Sequence, residues 1–171
     1  MIMLSPVPHG RAQINAVYGN PDANGDGILD LQWFAENIRV FNMPFPMRLS
    51  WKPDVLTQRF QAHKLIGDAV IDALAEIGLA HDDPDYLDNH GYNRWGGCFN
   101  FRFAKGNPDA LSAHSWGIAV DINPHLGPFG VAAHKQPAFI IEAFKRRGFF
   151  PGADWPLPYT DAQHFQAATG Y

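Results

Sequence analysis

A single carboxylate interrupts the run Ile118-Ala119-Val120-Asp121-Ile122-Asn123. The run reads as a β-strand, with Ala119, Asp121 and Asn123 on one face and Ile118, Val120 and Ile122 on the other. An aspartate in that position is costly to bury unless a cation pairs with it. Any fold that packs this strand must therefore bring a partner to Asp121, and a cation would serve. His114 lies seven residues upstream, in Ser112-Ala113-His114-Ser115-Trp116-Gly117. His164 follows near the C-terminus, in Asp161-Ala162-Gln163-His164-Phe165-Gln166. Zinc takes histidine nitrogen and aspartate oxygen at about 2.0–2.2 Å, and a catalytic zinc keeps three protein ligands and a fourth position for water. His114, Asp121 and His164 form a candidate set of that kind.

Asp161 precedes His164 by three residues. In a fully extended chain such a pair would point to opposite faces, so a shared site requires a helical turn or β-turn between them. Pro156 and Pro158, just upstream, fit irregular backbone there. So placed, Asp161 is a candidate general base for a zinc-activated water. Arg102 lies in Cys98-Phe99-Asn100-Phe101-Arg102-Phe103, which reads as a strand over 98–103 with Arg102 sharing a face with Asn100 and Cys98. Its guanidinium either polarises a scissile carbonyl or pairs with a surface acid. Trp116 and Trp155 either line a substrate groove or pack in the core or at the rim, and Ser112 is a further candidate substrate contact.

Ser112, His114, Gly117, Ala119 and Asp121 carry a Ser-x-His-x-x-Gly-x-Ala-x-Asp pattern, and Asp161 stands three residues before a His164-Phe165 pair. This two-part pattern resembles the M15 family of zinc peptidases. Within that family it is most similar to the branch holding phage endolysins and relatives of D-Ala-D-Ala carboxypeptidases. The resemblance covers roughly residues 55–166. It implies one zinc per chain on His114, Asp121 and His164, with Asp161 as base and Arg102 polarising the carbonyl. It also implies an α+β fold of the Hedgehog/DD-peptidase kind, a small antiparallel sheet with flanking helices. The implied substrate is the peptidoglycan stem peptide, cut between L-Ala and D-Glu. D-Ala-D-Ala carboxypeptidase activity and a non-catalytic zinc-binding module are the alternatives. Gln166 stands where many relatives carry Glu.

Composition narrows the remaining choices. The 171 residues suit one domain, with a loop-rich segment over 1–50 and a catalytic core over 51–171. Hydrophobic residues at 46% supply a core, and 18% charged residues do not fit a disordered chain. The net charge is −4 and no basic cluster exceeds Lys145-Arg146-Arg147, which argues against nucleic acid as partner. No run approaches the roughly 18 apolar residues of a membrane span. The lone Cys98 excludes an internal disulfide framework. The N-terminus lacks a basic segment followed by a long apolar core. The expectation is a monomer made in the cytoplasm that acts on the cell wall after release in phage or prophage lysis, or from a virion.

Along the chain, the spacing predicts helices within 31–41, over 53–78 and within 137–148. Loops are expected over 80–97 and 104–113, a chain break at Met43–Met47, and a loop leading to a short last strand at the C-terminus. Asp22, Asn24, Asp26 and Gly27 match the first half of an EF-hand loop, but Trp33 occupies the twelfth position where a bidentate Glu belongs. The segment is either a calcium site, with Asp30 as an added ligand, or a turn held by its aspartates.

Overall fold

The structure is a computed structural model that describes residues 3–4, 7–105 and 107–170. Its framework is a six-stranded sheet in the order β2-β1-β3-β6-β8-β7. The strands are β1 (Ile38–Leu49), β2 (Lys52–His63), β3 (Arg94–Gly97), β6 (Ala119–Ile122), β7 (Phe150–Gly152) and β8 (Asp161–Gln166). Strands β4 (Phe103–Ala104) and β5 (Asn107–Leu111) form a separate antiparallel pair. Helices α1 (Gly10–Tyr18), α2 (Leu31–Asn37), α3 (Gly67–Gly78), α4 (Tyr86–Asn89) and α5 (Ala138–Lys145) complete the α+β fold. The sheet is mixed rather than purely antiparallel, because β1 and β3 run parallel.

The sheet departs from the sequence reading mainly in its first half. The helix expected over 53–78 begins only at Gly67, and Lys52–His63 is instead an edge strand paired with β1. Val55, Phe60 and Ile66 fit a helical spacing by coincidence; the pairing of Phe60 with Phe41 and of His63 with Ile38 decides the local structure. An edge position also tolerates Pro53. The expected helix over 31–41 stops at Asn37, and Ile38 onward joins β1. Pro44 and Pro46 do not break the chain. They fall in a register shift between Asn42 and Met47, so β1 continues past them. The segment expected to be a loop over 80–97 holds α4 and β3, and the loop expected over 104–113 holds β5. The strand placed at 98–103 is absent as such: 98–102 is irregular. Residues 1–50 hold α1, α2 and the whole of β1 rather than loop alone.

From residue 118 onward the structure follows the reading, except that β7 forms within the stretch expected to be loop, because Phe150 and Pro151 pair with Gln166 and Phe165 of β8. β6 lies within 118–123, α5 within 137–148, and β8 is the short last strand. The core gathers Ile14, Met47, Ile66, Leu74, Trp116, Ile118, Ile122, Ile140, Phe144 and Phe165, all below 2% exposed. Phe144 of α5 stacks on Phe165 of β8, with ring centroids 4.4 Å apart. Burying each ring contributes about 1.5–3 kcal/mol, which ties the strand carrying His164 to the helix layer. Arg147 and Arg146 at the end of α5 pair with Glu76 of α3 and hold the two helices side by side.

Candidate metal centre

Three elements converge on Asp121. It sits on β6, directly opposite His164 of β8 in the antiparallel register. Its own strand neighbour β3 lies so close at Gly96 that a Cβ there would stand 2.6 Å from the Asp121 Cβ. Only glycine leaves the carboxylate room against that strand. His114 arrives on a single 3-10 turn, Ala113–Trp116, capped at its start by the Ser112 hydroxyl, which accepts the His114 N–H. The turn ends at Gly117, in the left-handed region at φ +66°.

His114, Asp121 and His164 each offer one ligand atom, and these atoms lie within 4.8 Å of one another. His164 Nδ1 is 3.1 Å from Asp121 Oδ1, and His114 Nε2 is 3.3 Å from Asp121 Oδ2. The other nitrogen of each ring is already committed. His114 Nδ1 lies 2.6 Å from the Cys98 carbonyl, and His164 Nε2 lies 3.0 Å from the Gln166 side-chain oxygen. Both partners are acceptors, so both committed nitrogens donate. With those nitrogens donating, the neutral form of each ring turns its lone pair toward the Asp121 carboxylate. Among the described residues, buried His114 Nε2 has no hydrogen-bond partner. Lone pairs facing a carboxylate repel unless a cation lies between them, and the donor set N, N, O suits zinc. The residues therefore fit a metal.

The electrostatics agree. Burial acts to raise the pKa of Asp121, but His114 and His164 outweigh it and hold the carboxyl far below the usual carboxylate range. Burial acts to lower that of His164, yet Asp121 and Asp161 outweigh it and the pKa is raised. The site is a buried anionic centre that draws positive charge.

Asp161 lines the same cleft as His164, Arg102, Ser112 and Trp155, a space of about 170 Å³. The sequence required a turn between Asp161 and His164; the structure uses a bulge. Gly152 of β7 pairs with Asp161 and Pro151 with Phe165, leaving Ala162, Gln163 and His164 without partners on β7. The Gln163 N–H donates to the Gly127 carbonyl instead. Burial pushes the Asp161 pKa up, and the Gln163 amide, donating to Asp161 Oδ1 at 2.8 Å, opposes this. Trp155 packs against the His164 ring at a centroid distance of 5.3 Å.

Arg102 reaches the cleft from irregular backbone, not from a strand, and shares no strand face with Asn100 and Cys98. Its backbone N–H donates to the Ser115 hydroxyl and its guanidinium to the Phe103 carbonyl. Trp116 is fully buried and donates to the Gly19 carbonyl, so it packs the core and lines no groove. Sequence reasoning missed Lys105 and Phe129, which line the cleft beside Trp155. Lys105 Nζ lies 5.0 Å from the Phe129 ring centroid, and no spacing in the sequence links the two.

The Asp22–Asp30 segment is held by its own side chains. Asp22 accepts from the Gly27 N–H, Asn24 from the Asp26 N–H, and Asp26 from the Ile28 N–H. Asp30 caps α2 by accepting from Gln32 and Trp33. Among the described residues, the only His/Cys/Asp/Glu group placed to share an ion is His114, Asp121 and His164.

Residues 105–167 match the M15 peptidase family model described as D-alanyl-D-alanine carboxypeptidase. No curated protein and no solved structure gives a significant match. The matched stretch carries all three converging side chains together with Asp161, and it is over this stretch that the chain is similar to the M15 family of peptidases.

Proposed function

We propose that this chain is a zinc-dependent peptidase of peptidoglycan stem peptides, acting as an L-alanyl-D-glutamate endopeptidase. The observation that carries the metal reading is the pair of imidazole nitrogens turned on one buried carboxylate, each ring fixed from behind by an acceptor. His114 Nε2, Asp121 and His164 Nδ1 would hold the ion. Bound zinc would act as a Lewis acid that brings a water's pKa down to about 7.

The chain's own residues do the rest. Asp161 lines the cleft beside His164 and can accept a proton there, and Gln163 holds one of its oxygens in place. Asp161 takes a proton as the nucleophile forms and returns it to the departing amine. Arg102 supplies positive charge to the carbonyl oxygen as it becomes an oxyanion. Trp155 shields His164 from bulk water. Asp161 in the cleft favours this reading over a non-catalytic zinc-binding module, which needs no base beside the ion.

The description of the matched family favours a second specificity, D-Ala-D-Ala carboxypeptidase. Digestion of purified peptidoglycan by the zinc-loaded protein, read by mass spectrometry, separates the two. New N-terminal D-Glu peptides establish the endopeptidase, and released D-Ala establishes the carboxypeptidase. The absence of both from a zinc-loaded protein overturns the enzymatic reading. The endolysin-like setting, with release to the wall during lysis, rests on the resemblance of the two-part motif alone.

A further inference from the structure

Gln166 is not one of the converging residues, yet it is 5% exposed and its side chain is held at both ends. Its amide N–H donates to the Ala168 carbonyl at 2.9 Å, and its side-chain oxygen lies 3.0 Å from His164 Nε2. The Ala168 carbonyl can only accept, so it dictates which end of the amide faces it. The nitrogen turns to Ala168 and the oxygen to His164. Reversing the amide would set oxygen against oxygen at Ala168 and leave that carbonyl unpaired. An oxygen facing His164 Nε2 requires that nitrogen to carry the proton. Nδ1 then keeps its lone pair, and Nδ1 is the atom 3.1 Å from Asp121.

We propose that Gln166 is the positioning residue of the centre: through this relay from Ala168 it sets the His164 tautomer that presents Nδ1 to the ion. The inference rests on the metal-centre reading above. His114 has the same arrangement built from backbone, with the Cys98 carbonyl behind Nδ1, but that acceptor cannot be removed by substitution. On β8 the acceptor is a side chain, so the relay can be cut. Ring partners behind a metal-bound histidine typically govern metal affinity by about 10–100-fold.

Two variants separate positioning from packing. Gln166→Met fills a similar volume and removes both the acceptor and the donor. Gln166→Glu also removes the donor to Ala168 but keeps an oxygen for His164 Nε2–H. Any damage from an unpaired Ala168 carbonyl is therefore common to both. Zinc affinity is measured by chelator competition, and the His164 tautomer by ¹⁵N NMR of the imidazole. The expected result is a loss of about 10–100-fold in zinc affinity for Gln166→Met with a mixed tautomer, and retained or tighter binding for Gln166→Glu with Nε2 protonated. Unchanged affinity in Gln166→Met, or an equal loss in both variants, overturns the inference while leaving the metal centre intact. A wild-type protein that binds no zinc removes the metal-centre reading and this inference together.

Discussion

Gly117 holds the turn that delivers His114, and replacing it with alanine tests how tightly that turn is fixed. Its N–H donates to the His114 carbonyl at 2.9 Å, and its own carbonyl accepts from the His63 N–H at 2.9 Å. Two separate costs meet at this residue. Its φ of +66° lies in the left-handed region, which costs an L-residue about 1–2 kcal/mol. An added Cβ would stand 2.8 Å from the His63 backbone nitrogen and 3.0 Å from Ile38 Cδ1. Backbone cannot swing aside as a flexible side chain can, and overpacking of this kind costs about 1–3 kcal/mol. Gly117→Ala should therefore lose about 2–5 kcal/mol of stability. In a chain of 171 residues each kcal/mol moves Tm by about 2–4 °C, so the melting point should fall by roughly 4–20 °C. Urea and thermal unfolding of metal-free protein read the effect without a contribution from bound ion. A loss under about 0.5 kcal/mol, the level of an ordinary surface change, would refute the reasoning.

Asp161→Asn should lower kcat by about 10²–10⁴-fold with zinc content unchanged. In metal-free protein the folded-state pKa of Asp161 is raised, so its ionised form opposes folding at neutral pH; metal-free Asp161→Asn should be as stable as metal-free wild type at pH 7, or more so, and a loss of stability there contradicts the assignment. Arg102→Ala should reduce kcat by about 10²–10³-fold with little change in Tm, since among the described residues its guanidinium donates to the neighbouring Phe103 carbonyl alone; a loss confined to KM would show that it binds ground-state substrate instead. Calcium added to metal-free protein should leave Tm unchanged, because the Asp22–Asp30 segment is closed by its own side chains; a rise of several degrees would restore the calcium reading.

The metal-centre candidates were legible because ligand chemistry leaves a local trace. A carboxylate in an apolar strand, with a histidine upstream and an acid–histidine pair downstream, has few other uses, and β6 and β8 set Asp121 opposite His164 as adjacent strands. Arg102 lines the cleft, but the strand expected to carry it is absent. The backbone from Phe99 to Arg102 spends its N–H groups on Gln61, on His114 and on the Ser115 hydroxyl, so the alternating aromatics there follow no ladder. The β1–β2 hairpin was invisible for a related reason. Its pairing is fixed by contacts such as Phe41 with Phe60, which no local period announces, while Val55, Phe60 and Ile66 imitate a helix. Trp116 carried no sign of whether it lay inside or at a rim; only packing against the N-terminal helix, through Gly19, decides that it is buried. Gln166 was visible only as a departure from the family pattern that the motif resembles, and its place behind His164 needed the structure.

The most direct test of the central claim is release of soluble peptide from purified peptidoglycan by metal-free protein, before and after one equivalent of zinc, beside His164→Ala treated identically. The account predicts no release without metal, full release at one zinc per chain, and neither tight zinc binding nor release in the variant. Release by rigorously metal-free protein, or full zinc-dependent activity in His164→Ala, would contradict it.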